Sequence, residues 1–170
     1  MAHTYNASLA IDFAAETVFD SSVSPFASGS TPQNTRNVNG GRRWKAGGAS
    51  GQIEAVYKRT RTVGSGATDS YNVLAAGALE TPAGETIDLD ELKAIVVKCT
   101  AGAIKVVGGT SNPVSCFTGS GQGVALSADQ TFAMDLGPGG VDVTTNGTFE
   151  VVETSASASA TYELQFIGAE

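Results

Sequence analysis

The sequence predicts an all-β protein, an antiparallel β-sandwich or jelly-roll-like barrel that follows an extended, largely irregular N-terminal arm. From residue 70 onward, short apolar runs recur about every ten residues with turn residues between them, the spacing typical of such folds. Several runs alternate apolar and polar residues with a period of two. Glycines interrupt every window long enough for a helix, where each costs about 1 kcal/mol relative to alanine. A chain of 170 residues is long enough to bury a core of its own.

Residues 70–170 are expected to form the body of the sandwich. The run AIVVKCT, at 94–100, is almost entirely apolar, which favours a strand buried on both faces. In the closing run ATYELQFIG, the alternation predicts that Tyr162, Leu164 and Phe166 face the core together.

Two hairpins are predicted within this body. Ala101–Gly102 separates the run AIVVKCT from the run AIKVVGG, so residues 94–108 read as the first hairpin. Asn146–Gly147 predicts the second, because both residue types tolerate the positive φ angles of a type I′ turn.

Residues 1–69 are expected to combine an N-terminal strand with an extended basic arm that serves assembly. Tyr5 to Phe13 alternates as a strand does, whereas residues 21–51 are rich in Gly, Ser and Asn and read as a functional loop, arm or linker. The stretch QIEAVYKRTRTV then alternates again, with Tyr57, Arg59 and Arg61 on one face. Since neither face is cleanly apolar, we expect this strand at a sheet edge or in an interface.

Enzyme chemistry finds little support in the sequence. The single histidine, His3, lies near the terminus, where a general base is hard to hold in geometry. The glycine-rich stretch at 119–123 lacks the lysine of a phosphate-binding loop. Asp88, Asp90 and Glu91 lack the spacing of a calcium loop. We therefore expect no catalytic residue, no metal and no cofactor.

The two cysteines, Cys99 and Cys116, read as reduced buried thiols, with a disulfide as the alternative. The chain has neither an apolar run long enough to span a membrane nor a recognisable secretory signal. We accordingly expect no membrane attachment and treat the glycosylation patterns at Asn6 and Asn146 as chance matches.

The charges are strongly polarised along the chain. Seven of the ten basic residues lie between Arg36 and Arg61, whereas the chain from Val106 onward carries seven acids and no base. A solvated loop, a nucleic-acid surface and a protein interface all fit such a basic segment. The net charge of -7 opposes nucleic acid, because an acidic surface repels phosphates. Arginine and tryptophan favour the interface, since they dominate binding energies. The predicted interface residues are Arg36, Arg42, Arg43, Trp44, Lys45, Lys58, Arg59 and Arg61.

Residues from about Thr86 to Gly168 resemble a class of small β-rich structural proteins of tailed-bacteriophage virions. The resemblance is carried by AIVVK, IKVVGG, the SNP…F segment, the GPGG loop and the closing ATYELQFIG. It covers about half of the chain, and its motifs are structural rather than catalytic.

The resemblance implies a virion component that is assembled in the host cytoplasm. We expect a non-enzymatic capsid decoration or cement protein on the capsid surface, bound to the major capsid protein and to copies of itself, with a trimer as the first expectation. Two alternatives remain open: a subunit of the tail, fibre or vertex, and a carbohydrate-binding sandwich that recognises a host-surface glycan.

Overall fold

A computed structural model of the chain describes the backbone of residues 7–16, 35–46, 52–73, 79–80, 86–117, 122–145, 147–155 and 158–169, and side chains from residue 52 onward within those ranges, except Glu80. These residues form strands and turns and contain no helix, so the all-β prediction is confirmed. The strands are β1 (Ala7–Glu16), β2 (Thr35–Ala46), β3 (Gln52–Ile53), β4 (Ala55–Val63), β5 (Thr68–Asn72), β6 (Leu79–Glu80), β7 (Thr86–Ile87), β8 (Glu91–Ala101), β9 (Ala103–Gly108), β10 (Gly123–Ser127), β11 (Thr131–Asp135), β12 (Val141–Asp142), β13 (Thr148–Glu153) and β14 (Ala160–Ala169).

The chain divides into two compact units. One unit is Ser8–Arg43, which holds most of β1 and most of β2, neighbours in one sheet. β1 overlaps the strand predicted from Tyr5 to Phe13, and β2 lies inside the stretch expected to be irregular. The other unit includes Trp44–Glu170, in which Lys45 and Ala46 pair in parallel with the two residues of β3.

Among the described residues, the larger unit contains two large antiparallel sheets and the short antiparallel pair β6-β7. One large sheet has the order β11-β8-β14-β4, with β12 also paired to β8, and the other has the order β10-β9-β13-β5. β4 belongs to the first of these sheets, whereas the sequence analysis placed it in the assembly segment 1–69. The expectation that β4 lies at a sheet edge is confirmed within the described residues, where β14 is its one neighbouring strand.

The two strand orders match each other. Side by side, they place β11 with β10, β8 with β9, β14 with β13 and β4 with β5, and the members of each pair are consecutive among these eight strands. The chain therefore passes from one sheet to the other at each of these steps. This connectivity is that of an eight-stranded jelly roll, one of the two forms that the sequence predicts.

A continuous apolar core lies between the sheets. Tyr162, Leu164 and Phe166 alternate along β14 and are completely buried, as the sequence predicts. From the opposite sheet, Phe149 and Val151 of β13 belong to the same buried cluster. Each such side chain contributes about 1.5–3 kcal/mol by leaving water.

Both predicted hairpins are wrong. β8 and β9 do not pair with each other; they lie in different sheets and are joined at Gly102, whose φ is +78°. The strands on either side of Asn146–Gly147, β12 and β13, also belong to different sheets, and Asn146 itself lies outside the described residues. Apolar side chains on two successive runs can meet across a sandwich as well as within a hairpin, so the local pattern does not distinguish the two.

Gly102 is the tightest point of this crossover. A Cβ at this position would stand 2.9 Å from Cα and Cβ of Ala160, and the positive φ disfavours any other residue. We expect Gly102→Ala to lower the free energy of unfolding by about 2–4 kcal/mol, because strain and a backbone clash add. Gly66→Ala is the matched control, since Gly66 has φ +65° but nothing within 4 Å of the added Cβ. It should cost only about 1–2 kcal/mol. Urea unfolding of both variants measures the difference, and equal losses would contradict the assigned role of the crossover.

Candidate assembly surface

The predicted basic residues Lys58, Arg59 and Arg61 lie together on β4. Arg59 stands opposite Leu164, and Arg61 opposite Tyr162, in the register of β4 with β14. Because Leu164 and Tyr162 face the core, both arginines lie on the inner face of the sheet, at its margin. Lys58 lies on the outer face and is exposed. We call β4 with these three cations the basic edge.

The inner side of the basic edge is held by a chain of polar contacts across the sandwich. Arg61 Nε lies 3.6 Å from Asp69 Oδ2 of β5, in an ion pair whose arginine side chain is 49% exposed. Tyr162 Oη donates to the same carboxylate oxygen at 2.6 Å. Since the Tyr162 proton is used there, the 2.6 Å contact between Tyr71 and Tyr162 has Tyr71 as its donor. These contacts connect β4 and β14 with β5 of the other sheet.

Aromatic rings pack directly beside this chain of contacts. The ring of Tyr71 lies 6.3 Å from that of Tyr57, 5.9 Å from that of Phe166 and 6.4 Å from that of Phe149, centroid to centroid. Tyr57 stacks on Phe166 at 5.8 Å. Such pairs each add about 0.5–1.5 kcal/mol beyond the area that they bury. The basic edge is therefore part of the well-packed end of the core.

Burial shifts the ionisation of the three tyrosines. It raises the pKa of Tyr71 to about 12. Burial also raises the pKa of Tyr162, and the hydrogen bond to Asp69 raises it further. The pKa of Tyr57 is raised by burial as well. All three phenols are consequently uncharged at neutral pH.

The remaining predicted interface residues lie on β2. They are Arg36, Arg42, Arg43, Trp44 and Lys45, and the structure describes their backbone as a strand. Their side chains lie outside the described residues, so their role at an interface stays a prediction. The structure thus brings three of the eight predicted residues together on one sheet margin.

Three exposed aspartates lie along the margin of the sheet that β11 and β12 form. Asp135 ends β11 and Asp142 ends β12; both are exposed, and both strands pair with the same side of β8. Asp129 is exposed in the turn before β11. We call β11 and β12 with these three aspartates the acidic edge. It lies at the opposite margin of the sheet that carries the basic edge.

Two of the carboxylates of the acidic edge, those of Asp135 and Asp142, are tied to their own turns. Asp135 Oδ1 accepts a hydrogen bond from Gly137 N at 2.8 Å. Asp142 Oδ1 accepts from both N and Oγ1 of Thr144, and these bonds lower the pKa of Asp142. The negative charges are therefore held close to the strand ends.

Glu153 is a buried carboxylate that stabilises a turn and does not contribute charge to the surface. It is only 3% exposed, and Oε2 accepts a hydrogen bond from Gly66 N at 2.7 Å. Its other carboxylate oxygen accepts from N and Oγ of Ser155. Glu153 thereby secures the turn between β4 and β5. Glu150 and Glu163 are half-buried on β13 and β14, and Glu170 lies outside the described residues.

Lys93, which no sequence pattern indicated as functional, is completely buried. Its ammonium donates to Gln52 O at 2.7 Å and lies 3.2 Å from a carboxylate oxygen of Glu91. Lys93 is the extra residue of a β-bulge, since Leu92 and Ala94 face successive residues of β14. These partners compensate a burial that would otherwise be costly. A bulge inside an apolar run leaves no local signal in the sequence.

The cysteines are both free thiols. Cys99 is buried in the core, and Cys116 is half-buried against it, so the expectation of two buried thiols holds only for Cys99. Burial raises the pKa of Cys116 to about 11.

Among the residues that the structure describes, no three His, Cys, Asp or Glu side chains are grouped to hold a metal ion. In the same ranges, no helix has the length and apolar character needed to cross a bilayer. No protein-family model matches the chain, and a search of curated proteins found none similar to it.

The tyrosine cluster predicts how stability depends on alkaline pH. A phenol whose pKa is raised on folding contributes stability that is complete below the unfolded pKa of about 10 and is lost as the pH rises through the folded value. For Tyr71 the loss should fall between about pH 10 and 12. We expect the free energy of unfolding to be unaffected by these phenols up to about pH 9 and to decline above it, with a smaller decline in Tyr71→Phe. Urea unfolding at a series of pH values, with tyrosinate absorbance, measures this. Ionisation of all tyrosines near pH 10 in the folded protein would contradict the burial of the cluster.

Proposed function

We propose that the chain is a non-enzymatic structural protein of a tailed-phage virion, and specifically a capsid decoration protein. The observation that carries the proposal is the separation of charge: a basic edge and an acidic edge occupy opposite margins of one sheet. A body with such polarity is suited to contacts with other subunits, because opposite charges set register and speed association.

The fold supports the proposal in a general way. Jelly rolls recur in viral capsid proteins, but also in lectins and cupins, so the fold by itself leaves the function open. The resemblance of residues 86–168 to phage structural proteins is what directs the proposal to a virion. The protein would then be made in the host cytoplasm and bind at the capsid surface.

The segment GGRRWKAGG, residues 40–48, supplies the second contact. Glycine pairs flank three cations and the single tryptophan, a composition that combines permissive backbone with side chains favoured in interfaces. We propose that Trp44 anchors this segment on a neighbouring subunit or on the major capsid protein. Arg42, Arg43 and Lys45 would hold it there against acidic groups.

Decoration would stabilise the shell through many moderate contacts. A standard protein interface buries about 1,600 Å² in total, and a segment that reaches a neighbour makes the second contact effectively intramolecular. Repetition by the symmetry of the shell multiplies each contact. Tight binding by a single copy is unnecessary under these conditions.

Replacement of Arg42, Arg43 and Lys45 by serine should weaken binding of the purified chain to particles about tenfold, because interface cations of this kind dominate affinity. Circular dichroism of the triple variant checks that the sandwich remains folded. Copies bound per particle, titrated against protein concentration, give the affinity.

Lys98→Ser is the control, because Lys98 is an exposed cation on the middle strand β8. It should bind as the parent does. Equal occupancy by the triple variant and the parent would contradict the proposed role of the segment.

A further inference from the structure

We propose that β4 of one copy binds β11 of a second copy, so that the sheet β11-β8-β14-β4 continues from one molecule into the next. The inference rests on the proposed function in one respect, namely that the protein assembles with its own kind. It adds the surface, the partner and the orientation of the contact.

The two margins of this sheet are open to a further strand in the part of the chain that the structure describes. There, β4 pairs with β14 and β11 pairs with β8, each along one side only. β4 has nine residues and β11 has five, so a shared ladder could span the whole of β11. Adding a strand to a sheet edge is a recurrent mode of recognition, in which backbone hydrogen bonds supply affinity.

The directions of the strands fit this continuation. Each pair in the order β11-β8-β14-β4 is antiparallel, so β4 runs opposite to β11. A second copy in the same orientation would therefore present its β11 antiparallel to β4. The alternation of strand directions would pass unbroken through the contact.

The side-chain faces also match. One row of cross-strand neighbours runs from Ala133 on β11 to Lys58 on β4, with Val96 and Gln165 between them. The neighbouring row on the same outer face runs from Asp135 through Ala94 and Ile167 to Val56. If the rows continue in line, Asp135 of the second copy lies diagonally beside Lys58 of the first, within reach of a long side chain.

Charge selects this pairing over the alternatives. Two copies of β4 meeting edge to edge would bring Lys58 and Arg61 close to the same cations, and two acidic edges would bring Asp135 and Asp142 together. Like charges in such positions are destabilising, whereas a basic edge against an acidic edge is favourable.

Charged residues on edge strands often serve to prevent pairing altogether. That interpretation explains charge at each margin but does not require opposite signs at the two. A contact between two different surfaces closes into a ring when the rotation permits, and three copies related by 120° would give the trimer expected from the sequence analysis.

Paired charge variants test the contact. The first variant, Lys58→Glu with Thr62→Glu, makes β4 acidic; the second, Ala133→Lys with Asp135→Asn, makes β11 basic and keeps an acceptor for Gly137 N. Each is placed on the outer face, away from the core. As a control, Ala125→Glu with Ser127→Glu changes exposed residues of β10, an edge of the other sheet.

Self-association of the purified full chain is measured by analytical ultracentrifugation and native mass spectrometry. We expect the parent and the control to associate alike and to dissociate as salt is raised, since screening weakens charge contacts. Each edge variant alone should associate at least about tenfold more weakly, because like charges then face each other. A mixture of the two should form complexes that contain both variants.

Three results would overturn the inference: a monomeric parent at all concentrations, equal weakening by the control, or a mixture that associates no better than its components. Circular dichroism of each variant excludes loss of fold as the cause. Binding of the parent to particles is measured separately, so failure of this contact leaves the proposed function standing, and failure of particle binding leaves this contact standing.

Discussion

The closure of two antiparallel sheets around one aromatic core is the constraint on which the rest of the structure depends. Tyr71 and Phe149 from one sheet meet Phe166 from the other, and Tyr71 lies far from both of them in sequence. At steps such as that from β8 to β9, the chain therefore crosses from sheet to sheet, here at Gly102, instead of folding back as a local hairpin. Contacts of this non-local kind form only when much of the chain is already in place.

The same arrangement determines where the charges can act. Because the jelly roll orders both sheets alike, β4 and β11 become the two margins of one sheet although they lie about 70 residues apart. The cations of β4 and the aspartates beside β11 are thereby placed at opposite ends of the molecule's larger sheet. Positive and negative charges that are separated along the sequence are thereby separated across the sheet. This is the link that we propose between the fold and assembly.

Local patterns predicted the features that depend on a single strand. The period-two alternation identified the buried face of β14, because a half-buried strand carries apolar residues at every second position. The edge position of β4 followed from the lack of a cleanly apolar face on that strand. The alternation could not identify partners. Both hairpin predictions failed because a glycine turn serves equally for pairing and for crossing, and the choice is made by distant strands. The bulge at Lys93 and the acidic edge at Asp135 and Asp142 likewise follow from the register and order of strands, which no local pattern contains.

We propose that this jelly roll is a repeated building block of a virion shell. The most direct test of this proposal is the number of copies per purified particle, measured by quantitative mass spectrometry against the major capsid protein. A decoration protein should be present at on the order of hundreds of copies, in a simple ratio to the shell subunits, because it follows the symmetry of the shell. A count of about a dozen or fewer would place the chain at a vertex or tail instead. Its absence from purified particles would contradict a structural role in the virion.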